Sequence, residues 1–257
     1  MKHSDTIVIG SGLAGLMAAL TSARRGKKVM LLTMGSGSLS LNSGVIDVLG
    51  FDENHAFVES PRKGIETLPK DHPYKKIGMD MLEKSVEAFL AFTKEYHFPY
   101  RGSLDKQILV PTAVGTLKPT CLAPHSMDGS GFDGCSRVII VAIEGLKDFY
   151  GDIIKENIRP LLGENLEYEI VTVDTGLTGG RDITTLDVAR WIDRDQGMTA
   201  LADALKPYAK DSQTVFLLPQ ILGTSGHAGA LALRGKLGPA HLHPGAGRKD
   251  PHLYPVR

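Results

Sequence analysis

Thr6-Ile7-Val8-Ile9-Gly10-Ser11-Gly12-Leu13-Ala14-Gly15-Leu16 passes from a β-branched apolar run directly into three glycines spaced G-x-G-x-x-G. An apolar helical pattern continues from Leu16 to Arg24, Gly26 stops it, and a second apolar run, Val29-Met30-Leu31-Leu32, follows. Strand, turn, helix, glycine stop and strand in this order predict a Rossmann-like βαβ unit that cradles a dinucleotide. Gly10 allows the tight turn out of the strand, Gly12 lets backbone approach a pyrophosphate, and Gly15 lets the helix pack closely on the strand. The helix then offers its unpaired N–H groups and positive dipole end to the phosphates. Gly10, Ser11, Gly12, Leu13, Ala14 and Gly15 are therefore the first candidate cofactor-binding residues.

The same segment invites a different reading, because Thr6 to Ala23 is 18 residues without a charge, flanked by Lys2 and by Arg24, Arg25, Lys27 and Lys28. A signal peptide or a short membrane span would look similar. Asp5 beside the run, the three glycines inside it and its marginal length count against both. In bulk the 257 residues carry 29 basic and 29 acidic side chains, for a formal net charge of zero. That balance gives no electrostatic case for a nucleic-acid partner. Cys121 and Cys135 form no C-x-x-C pair and have no histidine at finger spacing, so a reducing cytoplasm fits better than a disulfide framework or a zinc site.

Beyond the second strand, Thr33 occupies the place where dinucleotide folds present an acid to the adenosine ribose. A hydroxyl can make one such bond but cannot grip two ribose hydroxyls as a carboxylate does. Ser43 and Gly44, within Asn42-Ser43-Gly44-Val45-Ile46-Asp47, could bring backbone N–H groups to a flavin or phosphate, or form a plain surface turn. Residues 52–76 show no clear period and read as a loop, with His72 a solvated side chain in it. Leu82, Val86, Phe89, Leu90, Thr93 and Tyr96 follow helical spacing between Gly78 and Pro99 and predict a packing helix. Val110-Pro111 and Gly115 to Thr120 read as short edge strands, and Met127 to Cys135 as a Gly-rich loop.

Val138 to Ile143 is a continuous apolar run suited to a parallel strand buried on both faces. An amphipathic stretch through Phe149, Ile153, Ile154 and Ile158 follows, and Tyr168 to Val173 predicts the next strand. Thr184 and Asp187 offer a capping box for a helix carrying Val188, Ala189, Trp191 and Ile192, with Trp191 placed in the core. Met198 to Tyr208 predicts one more helix and Thr214 to Leu218 a last strand. The organisation expected is a βαβ dinucleotide-binding unit over 1–50, a loop-rich insert with one amphipathic helix over 51–136, and further α/β units of the same domain over 137–224. From Ser225 onward, 33 residues hold six Gly, four Pro and four of the nine His. They read as a disordered tail, and His241 and His243 lack an acidic or cysteine partner that would make them metal ligands.

From Thr6 to about Gly223 the sequence resembles the flavin subunit of anaerobic glycerol-3-phosphate dehydrogenase that works beside its catalytic subunit, within the fumarate reductase and succinate dehydrogenase group of flavoproteins. The resemblance rests on Gly10 to Leu16, on Asn42-Ser43-Gly44-Val45-Ile46-Asp47-Val48-Leu49 and on His72-Pro73-Tyr74. It continues in Gly115-Thr116-Leu117-Lys118-Pro119-Thr120, Gly145-Leu146-Lys147-Asp148-Phe149 and Val188-Ala189-Arg190-Trp191-Ile192-Asp193. It implies an oxidoreductase flavoprotein with FAD or FMN, hydride transfer from glycerol 3-phosphate to flavin N5, and electrons passed toward the quinone pool. Also implied are a catalytic partner subunit and an iron–sulfur, membrane-associated subunit, a cytoplasmic location and peripheral attachment at the inner membrane through those partners. A hydroxyl at Thr33 matches the habit of such subunits. Members of the family continue past this point, so the fold is expected to be incomplete and the chain truncated, through an altered reading frame from residue 225. Two further readings stand beside this one: a non-catalytic assembly subunit, and an NAD(P)-dependent reductase. No general base is identifiable.

Overall fold

A computed structural model of the chain describes residues 3–35, 37, 43–127, 132, 134–210, 213–224, 227–237 and 252–256. The chain divides into two compact units, 1–45 and 46–257, so residues 46–50 fall in the second unit and not in the βαβ unit as expected.

The first unit holds β1 (Thr6–Ile9), α1 (Leu13–Arg24) and β2 (Val29–Leu32). The two strands pair in parallel with Thr6 opposite Val29 and Ile9 opposite Leu32. Gly26, at φ 76°, ends α1: its N–H donates to Ala23 O and that of Lys27 to Ser22 O, so a left-handed residue satisfies the last carbonyls. The uncharged run of 6–23 is thus split among strand, turn and helix. A 12-residue α1 spans about 18 Å, well short of a bilayer, and no helix among the described residues is long and apolar enough to cross one.

The second unit is built around a four-stranded parallel sheet in the order β10 (His252–Val256), β9 (Thr214–Pro219), β7 (Arg137–Ile143), β8 (Glu167–Val173). Ile139, Ile140, Phe216 and Leu217 are fully buried, because helices cover this sheet and its strands need no polar face. Between the strands run α5 (Gly151–Leu162), α6 (Thr185–Ile192), α7 (Asp195–Leu205) and α8 (His227–Leu237). The capping box at α6 is fully formed, Thr184 Oγ1 accepting from Asp187 N and Asp187 Oδ2 accepting from Thr184 N. Trp191 packs against the core but is only partly buried.

A smaller apolar cluster of Val48, Ile65, Leu104, Cys121 and Leu122 supports the remaining elements. These are α2 (Pro61–Thr67), α3 (Pro73–Ile77), α4 (Met79–Glu95), the antiparallel pair β3 (Tyr100–Gly102) and β6 (Leu122–Pro124), and the hairpin of β4 (Ile108–Pro111) and β5 (Leu117–Thr120). Leu82, Val86, Phe89 and Leu90 of α4 pack on it as their spacing predicts, whereas Tyr96 is exposed just past the helix end.

Two expectations are corrected. Residues 52–76 are not a plain loop, because Ser60 and His72 each cap a short helix that opens on proline. Proline at the first helical position fixes φ where no N–H acceptor exists anyway. Nor is the stretch after residue 224 without elements. Ala230, Leu233 and Leu237 of α8 are buried, and β10 pairs with β9 in parallel. Gly229 permits that packing, since a Cβ there would lie 1.7 Å from Leu222 O. His241, His243 and most of the Met127–Cys135 loop lie outside the described residues.

Replacing Ile140 with Ala removes a fully buried side chain from the middle of β7 and should cost about 2–5 kcal/mol. Ile153→Ala, at a half-exposed position of α5, should cost far less; the urea midpoint at unchanged m-value reads both. A second prediction concerns Cys121, which is fully buried with its Sγ donating to Ser103 O at 3.2 Å. Burial, aided by Asp47 and Asp105, pushes its thiol from the ordinary 9.0 up to about 11. The folded state then holds a proton that the unfolded state releases, so this contribution is intact below pH 9 and is lost as pH rises toward 11. The urea midpoint of the wild type should therefore fall more steeply across that window than that of Cys121→Ala, and parallel curves would contradict the assignment.

Candidate functional site: the glycine turn

The turn between β1 and α1 is shaped by two glycines for two different reasons. Gly10 sits at φ 102°, a region that side-chain-bearing residues avoid, and its N–H donates to Leu32 O at 2.8 Å. Gly15 has ordinary helical geometry but no room, since a Cβ there would lie 2.1 Å from the carbonyl oxygen of Gly10 and 3.6 Å from Val8 Cγ1. The helix therefore approaches the strand end as closely as backbone allows. Gly12 is the N-cap residue in extended conformation, with no side-chain cap and no acid in the first turn of α1. The first-turn N–H groups, beginning at Leu13 and Ala14, consequently have no helical acceptor, and no side-chain partner among the described residues. A terminus of this kind favours an anion by backbone hydrogen bonds and by the helix dipole.

Ser11 and Thr33 close the other side. Their hydroxyl oxygens are 2.8 Å apart, Ser11 Oγ lies 2.7 Å from Gly35 O, and Thr33 Oγ1 also donates to Gly35 O while accepting from Gly35 N at 3.1 Å. Two hydroxyl hydrogens serve three oxygen contacts, so one contact is always unmade and a hydroxyl that brings its own hydrogen, such as that of a ribose, can enter the exchange. Gly37 was not singled out by its sequence. At φ 68°, with a hypothetical Cβ 2.7 Å from Ser11 O and 2.9 Å from Gly12 N, it brings the segment after β2 against the turn. The signal was the Gly35-x-Gly37 spacing directly after Thr33.

Ser43 and Gly44 end the first unit, Gly44 at φ 78° and Ser43 Oγ accepting from Val45 N at 3.4 Å. Among the described residues, the contacts that close the turn come from Ser11, Thr33, Gly35 and Gly37. Within the second unit, the stretches Ile46–Leu49, His72–Tyr74 and Lys118–Thr120 meet. Lys118 Nζ donates to Asp47 Oδ2 at 2.6 Å, Thr120 Oγ1 donates to Ile46 O at 3.1 Å, and Cys121 N donates to Ile46 O at 3.0 Å. Burial, with Cys121 and Asp47 nearby, raises the Tyr74 hydroxyl above its ordinary range. His72 is no solvated loop residue, because its Nδ1 accepts from Tyr74 N at 3.2 Å.

The sequence profile described as "FAD binding domain" matches residues 5–246. The chain belongs to this FAD-binding family. The expectation of a flavin is borne out in FAD, the cofactor that the family's description names. Among relatives, the anaerobic glycerol-3-phosphate dehydrogenase subunit designated B of Vibrio cholerae serotype O1 is 33% identical over 234 residues, covering 87% of this chain and 53% of that protein. The proteins of the same name from Vibrio vulnificus and Aliivibrio fischeri are 28% and 27% identical, covering 87% and 85% of this chain and 53% and 51% of their own. The chain thus spans about half the length of the curated relatives it matches. No solved structure gives a significant match.

Gly15→Ala forces its methyl against the Gly10 carbonyl and must push the first turn of α1 away. FAD affinity should fall at least about tenfold, or 1.4 kcal/mol, in a fluorescence-quenching titration, with the far-UV spectrum of the protein unchanged.

Proposed function

We propose that this chain is the flavin-binding portion of a glycerol-3-phosphate dehydrogenase, holding FAD by its diphosphate at the N-terminus of α1. The observation that carries the reading is the uncapped first turn of α1, brought against β1 by the close approach at Gly15. In this reading the amides from Gly12 to Gly15 bind the diphosphate, and Gly10 keeps side-chain bulk out of the turn. Ser11 and Thr33 meet the adenosine ribose with hydroxyls in place of a carboxylate, which gives binding without the grip that a charged partner adds. Ser43 and Gly44 offer backbone N–H groups to the flavin. Bound FAD supplies a two-electron acceptor for oxidation of the substrate's secondary alcohol.

For the substrate and for the existence of other subunits, support comes from the relatives' shared name, which contains glycerol 3-phosphate, a dehydrogenase and a lettered subunit. In our reading, as the family resemblance implies, the working assembly contains a catalytic partner subunit and an iron–sulfur, membrane-associated subunit that carries electrons toward quinone, with this chain on the cytoplasmic side. The alternative is a subunit that binds partners without turning over substrate. The two readings separate on cofactor content.

The purified chain should take up FAD with retained flavin absorbance after gel filtration. It should prefer FAD over FMN by at least about tenfold, because only FAD fills the turn with two phosphates. Capture of partner subunits with no flavin retained would favour the assembly reading, and tighter binding of NADPH than of FAD would contradict both.

A further inference from the structure

Residues 46–49 open the second unit, and each of them is tied to a distant part of it. Ile46 N donates to Leu122 O at 2.9 Å, and Ile46 O accepts from Cys121 N and Leu122 N, both at 3.0 Å, and from Thr120 Oγ1 at 3.1 Å. Lys118 Nζ donates to Asp47 Oδ2 at 2.6 Å. Gln107 closes the series, its Nε2 donating to Val48 O at 2.9 Å and to Leu49 O at 3.1 Å.

The Gln107 bonds hold a backbone conformation that leucine avoids. Leu49 sits at φ 43°, in the left-handed region where a Cβ is crowded, and a side-chain-bearing residue stays there only when its surroundings hold it. Gly64 of α2 makes the room, since a Cβ there would lie 2.8 Å from Leu49 Cδ2. Gln107 supplies the hold. It is only 6% exposed and its own backbone N–H donates to Glu59 O at 2.8 Å, so the amide reaches the two carbonyls from a fixed base. Turning the amide over would set its oxygen against two acceptors.

The residues just upstream give this hold a use. Val45 alone separates Gly44 from Ile46, so the Ser43–Gly44 turn lies within about 7 Å of Ile46 along the chain. In the flavin reading above, on which this inference rests, that turn meets the flavin. We propose that Gln107 is a positioning residue for flavin binding. By locking Val48 and Leu49 it fixes the chain into which the Ser43–Gly44 turn runs, and so the backbone that the turn presents to the isoalloxazine ring. Gln107 touches no part of the cofactor, and in the same reading the diphosphate and adenosine are held by the glycine turn without it.

Paired titrations of the full chain with FAD and with ADP, which carries the adenosine and diphosphate but no flavin, test it. The wild type should bind FAD more tightly than ADP. Gln107→Leu, which removes the donor and keeps the bulk, should weaken FAD at least about tenfold and leave ADP within about twofold. Lys118→Met breaks only a half-exposed ion pair to the same stretch and should weaken FAD about two- to fivefold with ADP unchanged; it carries the test if Gln107→Leu fails to fold. FAD and ADP affinity falling together would make these bonds structural only and overturn the proposal, as would an unchanged FAD affinity in the folded variants. A wild type that binds FAD and ADP equally would overturn the proposal and leave the diphosphate site standing, whereas one that binds neither would overturn the flavin reading with it.

Discussion

The contact between residue 15 and the carbonyl of Gly10 constrains the first unit more than any other. With glycine at 15, α1 starts directly at the end of β1; with any side chain, the carbonyl oxygen of Gly10 would be overlapped at 2.1 Å. Helix position and the direction of the first-turn N–H groups follow from that clearance, and so does the room for the diphosphate that we propose there. Among the described residues the turn has no charged side chain, since the first turn of α1 has no acid to repel a phosphate and no lysine or arginine to attract one. Backbone amides and the helix dipole supply the attraction, and neither depends on a titrating side chain.

Hydroxyl chemistry completes the turn. Ser11 and Thr33 share the carbonyl of Gly35, and their hydrogens are too few for all the oxygens they touch. A carboxylate at position 33 would face Gly35 O and Ser11 Oγ at short range and could accept from only one of them. The threonine therefore fits a tighter loop after β2, which Gly37 brings against Ser11 and Gly12. In the proposed complex, weaker ribose contact is the corollary. Stability is concentrated elsewhere, in the second unit, where β7 and β9 are buried along nearly their whole length and the capped α6 and α7 cover them.

Local signals carried most of the architecture. The glycine spacing, the helix stop at Gly26, the apolar run at Val138–Ile143 and the Thr184–Asp187 box each act over a few residues, and each forms as its chemistry requires. What sequence reading missed depends on partners distant in the chain or on weak local signals. Alanine and glycine give α8 a faint period, yet Ala230, Leu233 and Leu237 bury against the core because Gly229 fits over Leu222 O. Ser60-Pro61 and His72-Pro73 were start signals for short helices that the surrounding polar composition obscured. Gly37 and the fixed amide of Gln107 were not legible, since a backbone approach from residue 11 and carbonyls from residues 48 and 49 define them.

Backbone amide resonances report most directly on whether the turn holds the diphosphate. On addition of FAD to the isotopically labelled chain, the N–H signals of residues 12–16 should shift most and gain protection from solvent exchange, with smaller changes at Ser11 and Thr33. Shifts centred on other residues, with 12–16 unmoved at saturating FAD, would contradict the account.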